Sequence, residues 1–291
     1  MTARHEGEPP AGLASRAARR VVVTGGAGVQ RAVVESLACE RALRVVLDGR
    51  AIGLLACTPA DLADLALGFL FGEAYIDGLD DLAALEVEGE TLTAHARSAA
   101  GRDGVLAPAA ASPAGLAARG TGCGRVALHD LASRSSLRPV AGPPGLSAAV
   151  TANPAPLLAL FRHLQRAGPI FRASGGAHYA ALAGLEHWGA PGPRRPASQL
   201  RPAPALFFED ISRHSAIDKL AGAALRTGLD RRTCALLTSG RITTDAVARA
   251  ARLGVPLLAS RSAPTDLAVD LARSLGMVVV GFARGGRLNV Y

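Results

Sequence analysis

Apolar and polar positions change their rhythm several times along the chain. Residues 1–19 are polar and carry prolines and glycines without periodicity, the pattern of a disordered tail. "RRVVV" is a first apolar run. It is followed by "RALRVVLDGRAIGLLAC", two apolar runs on either side of Asp48-Gly49, a dipeptide that favours a two-residue hairpin turn. Thr58 then stands as an N-cap before Pro59, and Leu62, Leu65, Leu67, Phe69 and Leu70 in "PADLADLALGFLFGEAYI" follow helical spacing. "LAALEVEGETLTAHAR" reads as a second hairpin about Glu88-Gly89. From Ser98 to Arg119 the small-residue tract has little periodicity, the mark of a linker or mobile loop. "PAPLLALFRHLQRAGP", residues 154–169, is an amphipathic helix closed by Gly168-Pro169, and a second loop runs from Gly189 to Pro204.

After Ala205 the rhythm becomes that of buried strands alternating with helices. "ALFFED" precedes a helix over 215–226, "CALLTSG" one over 243–252, "VPLLAS" one over 265–274, and "MVVVGFARGG" follows. Strands this apolar, separated by helices of about ten residues, fit βαβ units covered on both faces. The expected fold is α/β: a mostly parallel sheet with helices on both faces, plus a smaller α+β N-terminal domain. The expected division is a tail over 1–19, a small α+β domain over 20–118 ending in a mobile linker, and a cysteine loop followed by an α/β domain over 119–291.

Composition narrows the function classes. The chain has 291 residues and 49% hydrophobic content, enough to bury a core without disulfides or metal. Its 32 Lys and Arg against 24 Asp and Glu give +8, mostly from arginine, whose fork suits phosphates and carboxylates. The arginines are scattered or sit in loops, with no basic helix or aromatic interleaving, which argues against nucleic acid. No apolar run suits a signal peptide or a membrane span, so the expected compartment is the cytoplasm, with reduced thiols.

Candidate chemistry gathers at strand ends, where ligands bind in open α/β sheets. Ser239-Gly240-Arg241 and Ser260-Arg261-Ser262 each lead from a strand towards a helix. There Thr243 and Thr265 are either plain caps or part of an anion-binding edge. Gly285-Gly286 between Arg284 and Arg287 reads equally as a backbone approach to phosphate or as a tight turn with surface arginines. "SGGAHYAALA" reads as a glycine-rich loop entering a helix with His178 in its first turn, as a structural or a catalytic histidine. In "FFEDISRHSAIDKLAG", Asp210 as N-cap places His214 and Asp218 one turn apart, either on an ion-paired surface or beside a ligand. No spacing of histidines and cysteines predicts a metal.

Cys39, Cys57 and Cys234 lie in apolar contexts and read as buried hydrophobes. Cys123 differs: "RGTGCGR" sets it between glycines, with Arg119 and Arg125 nearby to favour the thiolate.

These segments resemble the formate dehydrogenase accessory sulfurtransferase family, the FdhD/NarQ-type proteins. The resemblance is carried, in order, by "TPADLADLALGFLFGEAYI", "TGCG", "FRASGGAHYAA", "EDISRHSAIDK", "SGRIT", "SRSAPTDLAVDLA" and "GFARGGRLNVY". It implies a homodimer with a cytidine deaminase-like larger domain lacking that fold's zinc ligands. It implies that Cys123, whose thiolate the neighbouring Arg125 would favour, takes sulfur from a cysteine desulfurase and carries it as a persulfide. The recipient is molybdenum bis(molybdopterin guanine dinucleotide), bound as substrate before formate dehydrogenase or another molybdoenzyme receives it. Cofactor contacts are implied along Phe282, Ala283, Arg284, Gly285, Gly286 and Arg287; from the reading of the strand ends, Ser239, Arg241, His214 and Thr265 are expected to join them, and a guanine nucleotide would mimic the ligand. The family's Cys-Gly-x-Cys is Cys123-Gly124-Arg125-Val126 here, so the second thiol is absent. A cofactor-binding chaperone without sulfur transfer is therefore the alternative. Ser212 and Ser215 also replace the usual Gly and Asn of the acidic segment, and Ala74 stands where a Gly often follows the helix Glu.

Overall fold

The computed structural model describes residues 12–24, 27–97, 118–119, 137–140, 142–189 and 204–291. Two long strands, β1 (Leu13–Thr24) and β2 (Ala27–Ala38), pair antiparallel along their whole length as a separate two-stranded ribbon. Residues 13–19, expected in a disordered tail, are thus the first half of β1. Their small and arginine-rich composition hid a strand whose order comes from its partner.

The ribbon leads into a five-stranded sheet of β3 (Arg41–Leu47), β4 (Arg50–Cys57), β5 (Leu82–Glu88), β6 (Thr91–Ala96) and β7 (Ala118–Arg119), in the order β5-β6-β3-β4-β7. The β3–β4 turn is the expected one, with Asp48 at φ 48° and Gly49 at φ 77°, the left-handed pair that a two-residue hairpin demands. Helix α1 (Leu62–Gly72) begins after Asp61 in the left-handed region, three residues later than the Thr58 cap expected.

The second large sheet holds β8 (His178–Gly184), β9 (Leu206–Asp210), β10 (Cys234–Thr238), β11 (Leu257–Ser260), β12 (Val278–Arg284) and β13 (Arg287–Val290), ordered β13-β12-β11-β10-β8-β9. Only β10–β11 and β11–β12 are parallel, so the sheet is mixed rather than mostly parallel. The difference lies in β8. "HYAALAG" has no β-branched residue and reads locally as a helix, yet it is buried on both faces inside the sheet, where context overrides propensity.

Helices do cover both faces. Leu236, Leu258 and Val279 pack with α6 (Arg213–Thr227), α7 (Thr244–Leu253) and α8 (Asp266–Ser274). Their neighbours Ala235, Leu237 and Leu257 pack on the other side with α2 (Leu146–Ala152) and α3 (Ala155–Ala167). Short helices α4 (Pro169–Ser174) and α5 (Glu186–Gly189) flank β8. One apolar cluster runs from Leu43 and Val45 of β3 through α1 and α6 to Val279, so the two expected domains share a core.

Candidate functional site

Strands β10, β11 and β12 run parallel, so Thr238, Ser260 and Arg284 end on one edge of the sheet. Antiparallel β8 brings its first residue, His178, to that edge, opposite Asp210 at the end of β9. The loops leaving the edge are braced against one another. Thr238 Oγ1 accepts from Gly240 N (3.1 Å), and the Ser260 hydroxyl donates to the Gly240 carbonyl and accepts from Ser262 N (2.9 Å). Phe282 N donates to Ser262 O (2.9 Å) and Thr265 N to Ile242 O (2.9 Å). Such bracing fixes backbone groups before any ligand arrives.

Ser239 and His178 form the middle of the edge. Ser239 Oγ accepts from Tyr179 N (3.0 Å) and lies 3.1 Å from His178 Nδ1. Burial, and then the Arg213 guanidinium, hold the imidazole below the usual histidine range, against a weaker pull from Asp210. His178 is therefore neutral at neutral pH, with a ring nitrogen left to donate or accept. Arg213 lies across Gly240, whose missing Cβ would come within 2.8 Å of Arg213 Cβ and Cδ, so only glycine fits beneath it. Its Nε is buried without a hydrogen-bond partner among the described residues.

The residues expected to touch a cofactor fall into five settings. Phe282 sits on the edge in the left-handed region, φ 54°, where the β12–β13 register shifts between Gly281 and Arg284; Ala283 beside it is buried. A bulky residue held there is strained, a condition found at ligand sites. Arg284 pairs with Arg287 across Gly285 (φ 59°) and Gly286 (φ 79°), which form a two-residue hairpin turn, and all four are exposed. Ser239 lies on the edge and Arg241 is exposed just beyond it.

Thr265 caps α8, accepting from Ala268 N (3.3 Å), whereas Thr243 precedes α7 without a side-chain cap and with its Oγ1 buried. His214 Nε2 lies 3.2 Å from Asp245 Oδ2, between α6 and α7. The cap of α6 is Ser212, not Asp210.

Asp210 has a different task, one that local reading missed. Its Oδ2 accepts from Thr58 N and Oγ1 (both 3.0 Å) and pairs with Lys219 Nζ at 2.7 Å, while Oδ1 accepts from Ser212 N (2.9 Å). All three side chains, Thr58, Asp210 and Lys219, are fully buried. Glu209 next door accepts from Ile170 N (2.9 Å) and Phe171 N (2.8 Å), capping α4; burial raises its pKa and these bonds lower it. A second buried cation, Arg249, holds Asp218 (2.7 Å) and Glu73 (2.8 Å) together with Asp245. Burial pushes Asp218 up to about 6 against the pull of Arg249. The acidic segment is thus an internal weld between α1, α6 and α7 rather than a charged surface.

Cys123 and Arg125 lie outside the described residues. The described strand that precedes them, β7, pairs parallel with β4 at Leu54 and Leu55, and β4 runs directly into Cys57 and Thr58. Cys57 is buried and pushed up to about 12, first by burial and then by Asp210; burial also raises Cys234. Both are inert thiols, as expected, while Cys39 is half-buried. No cluster of three metal-ligating side chains occurs among the described residues, and no helix there is long and apolar enough to cross a membrane.

Comparison with known proteins places this arrangement. The model of the FdhD/NarQ family matches residues 38–291. A sulfur carrier protein FdhD from Anaeromyxobacter dehalogenans (strain 2CP-C) is 38% identical, over 96% of this chain and 92% of that protein. Those from Streptomyces avermitilis and Geobacillus kaustophilus are 32% and 31% identical, the first over 94% of this chain and 93% of its own length, the second over 88% of each. The crystal structure of a formate dehydrogenase accessory protein from Desulfotalea psychrophila superposes with a TM-score of 0.64 at 22% identity, covering 95% of this chain and 96% of that one.

Proposed function

The chain belongs to the FdhD/NarQ family, whose curated relatives are sulfur carrier proteins, and from that premise we propose a sulfurtransferase working through Cys123. Cys123 takes sulfur from a cysteine desulfurase as a persulfide and passes it to molybdenum bis(molybdopterin guanine dinucleotide), destined for formate dehydrogenase. The Cys123 thiolate, favoured by Arg125, attacks the outer sulfur of the donor persulfide. A new S–S bond forms, and the donor cysteine leaves as thiolate with the electron pair of the broken bond. In delivery the acceptor contributes an electron pair to the outer sulfur, and the pair of the breaking S–S bond returns to Cys123. The carrier ends as it began, which is why a single thiol suffices for transfer.

The observation that carries this reading is the direction of β7, the described strand that precedes the cysteine segment in the sequence. β7 runs parallel to β4, towards the junction where Thr58 meets Asp210, and Asp210 is paired with His178 on the strand-end edge. That edge supplies the chemistry a guanine dinucleotide needs. Exposed Arg241, Arg284 and Arg287 suit its pyrophosphates, and Phe282, Ala283, Ser239, Gly285 and Gly286 offer backbone and a ring. To these we add His178 as a neutral hydrogen-bonding group, with His214 and Thr265 holding the helices α6 and α8 behind it. The mixed sheet flanked by helices supports a cytidine deaminase-like scaffold, and we assign the protein to the cytoplasm as a homodimer.

Incubation with a cysteine desulfurase and cysteine is expected to add one sulfur to the intact mass of the wild type and none to Cys123→Ala. Equal gain in both would overturn the assignment. Val126 in place of the second thiol favours a second reading, a cofactor chaperone that moves no sulfur. On that reading Cys123→Ala still restores formate dehydrogenase activity in a strain lacking its own accessory protein; loss of restoration argues for transfer.

A further inference from the structure

The described surface hides its large apolar side chains well, with one concentrated exception. Nine large hydrophobics are exposed: Val21, Val22, Val23, Val29, Val34 and Leu37 on the β1–β2 ribbon, Val87 on β5, Leu79 in the short helical turn just before β5, and Leu267 elsewhere. Seven of the nine thus fall on two elements, with Leu79 beside the second. Both are also incomplete as sheets. The ribbon has only two strands, neither paired on its outer side among the described residues, and β5 is the edge strand of the five-stranded sheet. A two-stranded ribbon is marginal alone, and an exposed apolar edge is a template for pairing.

The two elements carry opposite charge. The ribbon bears Arg16, Arg19, Arg20 and Arg31 against a single acid, Glu35, which is paired with Arg20 at 2.6 Å. The β5–β6 hairpin carries Glu86, Glu88 and Glu90, all exposed, around Val87. The base of the ribbon adjoins the β5–β6 turn: β3 begins three residues after the ribbon ends, and Arg44 N donates to Glu90 O (2.8 Å). Apolar rows, unpaired strand edges and charge therefore match between two surfaces of one chain, which favours a second copy over an unrelated partner.

We propose that the β1–β2 ribbon of one copy docks along the β5 edge of a second copy, arginines against Glu86 and Glu88 and valines against Val87 and Leu79, and reciprocally. The ribbon gains the further strands it lacks, and the acidic edge is covered. This rests on the homodimer put forward above and is independent of the sulfur chemistry.

Sedimentation of the full chain tests it. The wild type is expected at twice the chain mass. Arg19→Glu with Arg31→Glu, or Glu86→Lys with Glu88→Lys, each weakens the dimer at least about tenfold, because like charges then face each other. Combining both pairs restores it, a recovery that mere misfolding cannot give. Circular dichroism and persulfide loading of Cys123 should match the wild type in every variant. A monomeric wild type, a dimer untouched by either reversal, or no recovery in the combined variant would overturn the proposal. Loss of loading with the dimer intact would instead count against the sulfur reading alone.

Discussion

His178 shows how a single residue can be written plainly in the sequence and still be misplaced. Its glycine-rich surroundings read as the start of a helix, whereas it opens an interior strand beside Ser239 and Arg213. The consequence is measurable. Its folded-state pKa lies below the unfolded value of about 6.5, so the unfolded chain takes up the proton first as pH falls. The stability linked to this group is present above about pH 6.5 and is lost as pH drops through the folded value. Urea unfolding between about pH 7 and pH 5 is expected to show a steeper decline for the wild type than for His178→Gln; parallel curves would remove the buried neutral histidine. Thr58, Asp210 and Lys219 were not legible in the same way. Residues 58 and 210 stand at the ends of strands in two different sheets, and no local pattern announces a partner that far along the chain.

Among the elements, those built from strong local signals were legible. Asp48-Gly49 gave its hairpin, and the leucine and phenylalanine spacing gave α1, because turn chemistry and helical period act over a few residues. β8 and the first half of β1 were not, since both draw their order from neighbouring strands. The one local signal for that ribbon is Gly25-Gly26, a dipeptide that favours a hairpin turn and stands in the sequence between the strand partners Thr24 and Ala27. The crossing of α1 and α6 shows what such reading cannot weigh. A Cβ on Gly222 would strike the Asp64 backbone and one on Gly68 the Asp218 backbone, so the two helices touch through bare main chain. Arg226 then clamps the crossing through a two-point contact with Asp64, at 3.0 and 2.8 Å. Gly222→Ala is expected to cost at least about 3 kcal/mol in chemical denaturation, the top of the usual overpacking range. Gly78→Ala, where φ is −171° and nothing lies within 4 Å, should stay within about 0.5 kcal/mol.

For the whole molecule, the family segments that looked like separate motifs turn out to serve two purposes. "SGRIT" and "GFARGGR" form the strand-end edge, while "EDISRHSAIDK" and the α1 segment weld the sheets from inside through Asp210, Lys219, Arg249 and Glu73. The change of rhythm after Ala205 was legible, but the core shared between the two expected domains was not, because periodicity shows that a face is apolar and not what covers it. That cover has a consequence for synthesis on the ribosome. α1 presents Gly68 and Gly72 to α6, which is translated roughly 140 residues later, so the first half of a nascent chain emerges with that face of the helix uncovered. A fragment of residues 1–200 is expected to aggregate or bind chaperone, and to become soluble when residues 204–291 are co-expressed as a separate chain. A soluble, protease-resistant fragment on its own would mean that α1 needs no such cover. For the cell, the final third of the message decides whether the first third is a protein or a burden.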